Sequence, residues 1–431
     1  MTTHSSSPQR HEKLLHVLKR RGIVQDFTAK ADEHLEQTRT AIYCGFDPTG
    51  DSLQLGNLIP IMQLKRLQEF GHRPIILIGG GTGLIGDPSG KSAERPMADP
   101  KVVEERAKKF EIQFKRFLDF DDATSGAILV NNASWLKGMN IVDFMWEVGK
   151  RLSAKRIYSL DSIKERWDRG GEGISLAEFV YTALQAYDFA HLYRHYKCTV
   201  QCGGSDQWGN IALGAELVRK MINGAEAFGV TFPLIADREG VKLGKTADNR
   251  TIWLDPLMTS PFVLHQYLLQ TTDEDAKKWL SYLTLLSDEK IAEINTAHDQ
   301  KPEHRIAQSN LADEVTKFIH GATGAEKAKR QGSILFSGDL SKARSDDLQD
   351  LAKEPGLAIR AGKQKRLVDL IVEAGLTNSK REARDIMAGG GIRWNGEKIK
   401  GDGTIDELPA VHGNFAILQR GGRNVKLIVV E

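Results

Sequence analysis

The sequence predicts an α/β fold built on a parallel sheet, followed by an α-helical region and a small α+β region. Short apolar runs alternate with helical patterns over 41–235, which is typical of a parallel sheet covered by helices on both faces. Strand signals fade from about 259 to 330, and turn-rich strand patterns return after 363. A chain of 431 residues is too long for one compact domain, so two or three domains are expected.

The composition indicates a soluble globular protein that works in a reducing compartment. Hydrophobic residues make up 40% and charged residues 27% of the chain. The three cysteines, Cys44, Cys198 and Cys202, are an odd number and too few for a disulfide framework. Cys198 and Cys202 are four positions apart, but no second Cys/His pair follows at zinc-finger spacing, so no metal site built from protein side chains is expected. We find no apolar run of the length that a signal peptide or a membrane span needs.

Each element of the long α/β region follows from its own pattern of apolar residues. The strand candidates are 41–46, 74–79, 127–130, 198–202 and 230–235, and the helical patterns between them are 55–70, 100–118, 139–149, 175–193 and 208–222. Helical spacing continues through the region from about 259 to 330. After 363, two amphipathic helices precede a turn-rich strand pair and a terminal hairpin.

The glycine-rich segment 79–92 matches two nucleotide-binding patterns only in part. Three of its glycines satisfy the dinucleotide fingerprint, but Asp87-Pro88 follows where that fingerprint needs a helix to begin. The spacing to Lys91 is one residue too short for a P-loop. We therefore expect a strand end whose backbone approaches a ligand closely, with the Asp87 carboxylate at its tip.

Three further stretches place polar groups at turns or in a loop. Residues 43–57, YCGFDPTGDSLQLGN, run from a strand end through a turn into a helix start, which is where phosphate binds readily. Residues 199–210 end a strand in a glycine pair before Ser205-Asp206, a typical helix N-cap. The stretch 241–246, VKLGKT, carries two lysines around a glycine, which suits a polyphosphate.

Read together, these stretches resemble one enzyme family. The matching segments are YCGFDPTGDSLQLGN, LIGDPSG, GGSDQWGN and KLGKT in this order, with FVYTALQAYDF at 179–189 as a fifth. They are similar to bacterial-type tyrosyl-tRNA synthetase, a class I aminoacyl-tRNA synthetase, and the similarity covers essentially the whole chain. The resemblance implies a Rossmann-type catalytic domain, an α-helical domain and an S4-like RNA-binding domain, working as a cytoplasmic homodimer without a membrane.

The resemblance also implies the domain boundaries. We expect an N-terminal helical segment at 1–35, the catalytic domain at 36–246, an α-helical tRNA-binding domain at 247–345, a linker at 346–362 and the S4-like domain at 363–431.

The implied reaction joins L-tyrosine and ATP, with Mg²⁺ accompanying ATP, to form tyrosyl-adenylate and pyrophosphate, and then transfers tyrosyl to the 3′ end of tRNA(Tyr). Because the substrate's own carboxylate attacks, the protein only has to hold two anions in line and stabilise the leaving pyrophosphate. The resemblance assigns catalysis to Thr49, Gln54, Lys242, Lys245 and Thr246. It assigns ATP binding to Gly45, Asp47, Thr49, Gln54, Gly56, Asn57, Asp206, Lys242 and Lys245.

Tyrosine binding is assigned by the resemblance to Tyr43, Asp87, Tyr181, Gln185, Asp188 and Gln207. Tyr181, Gln185 and Asp188 are spaced i, i+4 and i+7, so one helix face presents all three. Asp87, Tyr181 and Gln185 would surround the substrate ammonium. Tyr43 and Asp188 would pair with the phenolic hydroxyl.

One departure from the family pattern affects the first motif. The usual His-x-Gly-His is Gln54-Leu55-Gly56-Asn57 here. Glutamine keeps a hydrogen-bond donor but carries no charge, and we expect an active enzyme. The alternatives are a catalytically weakened RNA-binding protein on the same scaffold and a tryptophan-specific relative. A nicotinamide-dependent dehydrogenase is disfavoured by Asp87-Pro88.

The C-terminal segment is the mildly basic part of the chain, with twelve Lys/Arg against nine Asp/Glu from 363 to 431. Lys380, Arg381 and Arg384 fall on one side of a predicted helix, and Arg393 and Lys398 follow on the strand pair. A basic helix face beside a turn-rich strand suits an RNA backbone, and with the resemblance we expect these five residues to contact tRNA.

Overall fold

The computed structural model describes residues 14–89, 98–168, 173–235, 243–244, 250–337, 343–422 and 424–431, without the side chains of residues 15 and 16. The described residues group into two compact units. The first unit lies within 1–259 and 272–307, and the second within 260–271 and 308–431.

The first unit contains a six-stranded sheet. Its strands are β1 (Asp26–Phe27), β2 (Ala41–Phe46), β3 (Arg73–Ile78), β4 (Ile128–Asn131), β5 (Cys198–Gly204) and β6 (Phe228–Phe232), in the order β1-β6-β5-β2-β3-β4. The pairs among β2 to β6 are parallel, whereas β1 lies antiparallel to β6 at the edge. The predicted parallel sheet is confirmed, and its inner strands are buried on both faces as parallel strands require.

The helices vary from four residues to a long interrupted one. In chain order they are α1 (Leu14–Arg20), α2 (Ala31–Gln37), α3 (Leu58–Glu69), α4 (Pro100–Phe114), α5 (Ala133–Leu136), α6 (Ile141–Glu147), α7 (Ala154–Tyr158), α8 (Asp161–Asp168), α9 (Leu176–Tyr196), α10 (Trp208–Met221), α11 (Pro261–Leu269), α12 (Asp273–Leu283), α13 (Asp288–Gln300), α14 (Ile306–Ser337, interrupted at Gly321), α15 (Ser345–Leu351), α16 (Leu367–Glu373) and α17 (Lys380–Ala388).

Helix α9 carries three of the predicted tyrosine-binding residues, and local sequence defines both of its ends. The Ser175 hydroxyl accepts a hydrogen bond from the Glu178 backbone N–H at 3.2 Å, and Glu178 returns the contact to the Ser175 N–H at 3.4 Å. This reciprocal cap satisfies backbone donors that a helix start leaves unpaired. Lys197 ends the helix in the left-handed region, with φ of 55°.

The second unit contains a five-stranded sheet in the order β7-β11-β10-β8-β9, with β7 at Ala358–Ala361, β8 at Ile392–Trp394, β9 at Glu397–Lys398, β10 at Phe415–Arg420 and β11 at Asn424–Val430. Strand β7 pairs parallel with β11, and the other pairs are antiparallel. Residues 346–362, expected to be a linker, therefore hold most of α15 and all of β7. The predicted domain boundaries stay a prediction. Within the described part of the chain, no helix combines the length and apolar character that crossing a bilayer takes.

Candidate active site

A cavity of about 280 Å³ lies at the carboxyl ends of β2 and β5. From β2 the chain proceeds to β3 and β4, whereas from β5 it proceeds through β6 toward the other edge, so the strand order reverses between β2 and β5. Ligands of open α/β sheets bind at such a reversal. The predicted residues that line the cavity are Tyr43, Gly45, Asp47, Thr49, Gly56, Asn57, Asp87, Tyr181, Gln185, Asp188, Asp206 and Gln207.

Tyr43 and Asp188 place two buried polar groups in the cavity wall, with exposed fractions of 0% and 1%. One Asp188 carboxylate oxygen accepts from Asn132 Nδ2 at 2.9 Å and the other from Trp135 Nε1 at 2.7 Å. Burial raises the pKa of Asp188 to about 7, although these two hydrogen bonds act to lower it. The Tyr43 hydroxyl has no hydrogen-bond partner among the described residues. Since an unpaired buried hydroxyl is costly, this end of the cavity suits a ligand that brings a hydroxyl of its own.

Tyr181 and Asp47 form a second polar group in the same cavity. The Tyr181 hydroxyl donates to Asp47 Oδ2 at 2.8 Å, and the Thr82 hydroxyl donates to Asp47 Oδ1 at 2.8 Å. Burial, together with the charges of Asp47 and Asp87, raises the pKa of Tyr181 well above its usual value, so the phenol stays neutral. Because its proton is committed to Asp47, the Tyr181 oxygen is left as an acceptor, which suits an ammonium group.

Asp47 also explains a glycine at the end of β3. A Cβ atom on Gly79 would lie 1.8 Å from Asp47 Oδ1, so no larger residue fits without moving this carboxylate.

A ring of hydrogen bonds holds the Asp87 carboxylate. Gln207 Nε2 donates to Asp87 Oδ2 at 2.6 Å, and the Ser89 backbone N–H donates to Asp87 Oδ1 at 2.9 Å. Gln185 Nε2 donates to Gln207 Oε1 at 3.2 Å. Asn210 Nδ2 closes the ring at 2.9 Å from Gln185 Oε1 and 3.3 Å from Ser89 Oγ. The Gln185 amide oxygen, predicted to accept from an ammonium, thus already accepts from Asn210.

The starts of two helices contribute to the remaining wall of the cavity. Asn57 precedes α3, and its Oδ1 accepts from the Gln54 backbone N–H at 2.8 Å. Asp206 lies in the short 3₁₀ turn Ser205–Gln207 that leads into α10. Thr49 is exposed at the turn after β2. Helix starts present backbone N–H groups and a partial positive charge, so this wall suits a phosphorylated ligand.

Comparison with known proteins decides the family. The family model described as tRNA synthetases class I (W and Y) matches residues 35–337, and the model described as Tyrosine--tRNA ligase SYY-like C-terminal domain matches residues 347–428. The chain belongs to the tyrosine--tRNA ligase family. Enzymes of this class use ATP as a substrate.

Named relatives agree with this family over nearly the full chain. The chain is 40% identical over 422 residues to Tyrosine--tRNA ligase of Aliivibrio fischeri, covering 97% of this chain and 98% of the relative. It is 42% identical over 420 residues to Tyrosine--tRNA ligase of Dechloromonas aromatica, covering 96% and 98%. A solved structure of the C-terminally truncated mitochondrial tyrosyl-tRNA synthetase of Coccidioides posadasii matches with a TM-score of 0.66 at 29% identity, covering 75% of this chain and 92% of that one.

Four of the predicted catalytic residues of this family site are not seen in the cavity wall. Gln54 is half-buried and is not among the lining residues. Its backbone instead forms an antiparallel bridge with Trp253. Lys242, Lys245 and Thr246 lie outside the described residues. The roles predicted for these four residues stay predictions.

The five predicted RNA-binding residues are exposed in the second unit, where Lys380, Arg381 and Arg384 lie on α17. The Lys380 ammonium pairs with Asp369 at 2.7 Å, and Arg393 donates to a backbone carbonyl. Trp394, which stands among these basic residues in the sequence, is 2% exposed and belongs to the core. The basic side chains are therefore accessible, whereas Trp394 is not placed to stack on a base.

Sequence reasoning missed the residues that hold the two aspartates. Thr82 orients Asp47, and Asn132 and Trp135 orient Asp188. The pair Asn131-Asn132 directly after a predicted strand was a usable signal, because polar residues at the carboxyl ends of parallel strands collect at one edge. In the described part of the chain, no cluster of three or more His, Cys, Asp or Glu residues is arranged to hold a metal ion.

Proposed function

We propose that the chain joins L-tyrosine to ATP, releasing pyrophosphate, and then transfers the tyrosyl group from the adenylate to the 3′-terminal ribose of tRNA(Tyr). The proposal rests on one observation, that a single cavity offers a binding site for a hydroxyl and another for a cation. Tyr43 and Asp188 offer a buried site for a hydroxyl, and Asp47, Tyr181 and Asp87 offer acceptors for a cation. Tyrosine carries both groups at its two ends.

The proposed recognition of tyrosine rests on the phenolic hydroxyl. Asp188 accepts the substrate's O–H while Tyr43 donates its own unpaired O–H to the substrate oxygen. Phenylalanine would leave the buried Tyr43 hydroxyl unpaired and would bring no donor to Asp188, which is a strong basis for rejection. Tyrosyl-tRNA synthetases are the standard example of this effect.

The other end of the amino acid is held by carboxylates and amides. The ammonium lies against the Tyr181 oxygen and the Asp87 carboxylate, which Gln207 and Ser89 keep in one orientation. Gln185 acts mainly by orienting Gln207. The substrate carboxylate then points toward the wall that carries Thr49.

ATP occupies the wall formed by the helix starts. Gly56 and Asn57 contact the nucleoside, Asp206 lies at the ribose edge, and Thr49 reaches the phosphates. Gly45, Asp47 and Gln54 complete the nucleotide contacts, and Lys242, Lys245 and Thr246 stabilise the leaving pyrophosphate. Mg²⁺ arrives with ATP. The protein provides no nucleophile, because the tyrosine carboxylate itself attacks the α-phosphorus.

The protein surface supports two partners. Exposed Lys380, Arg381, Arg384, Arg393 and Lys398 bind the tRNA backbone.

Helix α6 exposes four apolar side chains, Ile141, Val142, Met145 and Trp146, with exposed fractions of 71%, 69%, 54% and 63%. Such a face is unusual on a monomer, and we assign it to a second copy of the chain in a cytoplasmic homodimer. Sedimentation of the chain at the mass of a monomer would contradict this part.

Amino acid-dependent ATP–pyrophosphate exchange tests the proposal. Tyrosine, phenylalanine and tryptophan are each tested as the amino acid substrate of three chains. These are the wild type, the cavity variant Asp87→Asn and the matched control Asp161→Asn, which removes an exposed carboxylate at the start of α8. We expect the wild-type chain to catalyse exchange with tyrosine alone. Asp87→Asn should lose most of this exchange activity, and Asp161→Asn should keep it. Exchange with tryptophan would point to the tryptophan-specific relative, and no exchange with any amino acid would leave an RNA-binding protein on this scaffold.

A further inference from the structure

A short two-stranded ribbon joins the first nucleotide motif to a segment about two hundred residues later in the chain. Gln54 and Trp253 face each other across an antiparallel bridge. The Leu55 N–H donates to the Ile252 carbonyl at 2.9 Å, and the Leu254 N–H donates to the Leu53 carbonyl at 2.8 Å. Backbone hydrogen bonds from the segment 252–254 therefore fix the position of the motif backbone around Gln54.

The Trp253 indole covers the turn that precedes this ribbon. A Cβ atom on Gly50 would lie 2.8 Å from Trp253 Cζ3 and 3.0 Å from Cη2. Real Cβ contacts do not approach that closely, so the ring occupies the space that any side chain at position 50 would need. Thr49, the neighbour of Gly50, lines the cavity.

The same ribbon also contacts residues 243–244, in the middle of the stretch 241–246. The Ile252 N–H donates to the Gly244 carbonyl at 2.7 Å. A Cβ on Gly56 would lie 3.4 Å from the Leu243 carbonyl oxygen, and a Cβ on Gly244, whose φ is +95°, would lie 3.2 Å from Leu55 Cβ. The cavity-lining Gly56 thus packs directly against residues 243–244.

We propose that Trp253 is a positioning residue for the nucleotide half of the active site. It acts through Gly50 and the 53–55 backbone, which together set where Thr49 and Asn57 stand, and it makes no contact of its own with substrate. Trp253 is not among the residues that line the cavity, and its indole ring lies over Gly50. The inference rests on the proposed function, because it concerns the placement of ATP in that reaction.

The test compares four variants with the wild-type chain: Trp253→Ala, Trp253→Phe, Gly50→Ala and the double variant Gly50→Ala/Trp253→Ala. Leu257→Ala is the matched control, because Leu257 lies three residues after the segment 252–254 and is 94% exposed. The KM for ATP, the KM for tyrosine and kcat are measured separately by pyrophosphate exchange. Tyrosine binding without ATP is measured by equilibrium dialysis.

We expect Trp253→Ala to raise the KM for ATP about tenfold and to lower kcat, since small misplacements of positioning groups are costly. Tyrosine binding should stay within about twofold of wild type, because the Tyr43–Asp188 and Asp87 contacts are separate from the ribbon. Trp253→Phe, which keeps a ring over Gly50, should recover most of the ATP affinity. Gly50→Ala should be harmful beside tryptophan and nearly neutral in the Trp253→Ala background, because the alanine methyl then has space.

Two results would overturn the inference. One is an unchanged KM for ATP in Trp253→Ala. The other is an equal loss of ATP and tyrosine affinity in the single variants, which would show general destabilisation. Absence of exchange in the wild-type chain is a different outcome, since it contradicts the proposed function before any variant is compared.

Discussion

Replacing Asp188 by asparagine should remove the contribution that this carboxyl makes to the pH dependence of the protein's stability. Asp188 is 1% exposed, and burial raises its pKa from an ordinary value of 3.8 to about 7. An unfolded chain returns the carboxyl to its ordinary pKa. Between these two values the folded protein therefore binds one proton more than the unfolded chain, whereas asparagine binds none in either state.

The size of the effect follows from proton linkage. A group with a raised folded pKa contributes stability that is fully present below its unfolded pKa and is lost as the pH rises toward its folded pKa. One bound proton changes the free energy of unfolding by about 1.4 kcal/mol per pH unit. From pH 5 to pH 7 the wild-type chain should therefore lose roughly 2 to 3 kcal/mol relative to Asp188→Asn, with little further change above pH 7.

Asparagine cannot reproduce both hydrogen bonds of Asp188, because its NH₂ group cannot accept from Asn132 or Trp135. That loss costs about 1–3 kcal/mol at every pH, so the prediction concerns the pH dependence and not the absolute stability.

Urea denaturation of both chains at pH 5, 6, 7 and 8 measures this difference. The control is Asp161→Asn, in which an exposed carboxylate is removed. We expect the gap between Asp188→Asn and wild type to change steadily up to pH 7 and then level off, and the Asp161→Asn curve to run parallel to wild type. Parallel curves for Asp188→Asn and wild type would refute the reasoning, because they would mean that Asp188 ionises in the folded protein as it does in the unfolded chain.

Three other predictions concern the substrates. Tyr43→Phe removes a hydroxyl that lacks a partner among the described residues, so the unliganded protein should lose no stability in urea denaturation. Its kcat/KM for tyrosine should still fall by roughly tenfold, with smaller change for phenylalanine; an unaltered tyrosine-to-phenylalanine ratio in pyrophosphate exchange would argue against the proposed phenol contact. Gln54→Ala should lower kcat for adenylate formation by ~10²-fold, the size typical for one lost transition-state donor, and an unchanged single-turnover rate would remove Gln54 from the site. Arg384→Gln should reduce the slope of log tRNA affinity against log salt concentration by about one unit. The comparison is Arg360→Gln, which removes an arginine paired with a carboxylate. Equal slopes for the two variants in filter binding would remove Arg384 from the RNA surface.

Much of the fold was predictable because its signals are local. Parallel strands read as continuous apolar runs and helices as periodic ones, and both patterns lie within single segments of the chain. The antiparallel edge strand β1 escaped detection because two residues, Asp26 and Phe27, carry no such pattern. Strand β7 escaped for a related reason, since four residues, Ala358–Ala361, become a strand only by pairing with β11.

In the candidate site too, local spacing predicted some residues, whereas their distant partners were not predictable. Tyr181, Gln185 and Asp188 were expected on one helix face, and all three line the cavity, because spacing along a helix determines direction. The partners of Asp188 were not predicted. Trp135 lies 53 positions away in the chain, and its ring stacks on His191 of α9 where it reaches Asp188. No local pattern encodes that contact.

The sequence by itself, through its motifs and their resemblance to one family, indicated residues such as Tyr43, Asp87 and Asp188, which line one cavity at the carboxyl edge of the sheet. Tertiary structure alone decided the state of those residues. The burial that raises the pKa of Asp188, the missing partner of the Tyr43 hydroxyl and the Trp253 ring over Gly50 all depend on atoms brought together from distant segments. Hydrogen bonding and desolvation act over a few ångströms in space, whatever the separation along the chain, and for that reason they are read from the fold and not from the motif.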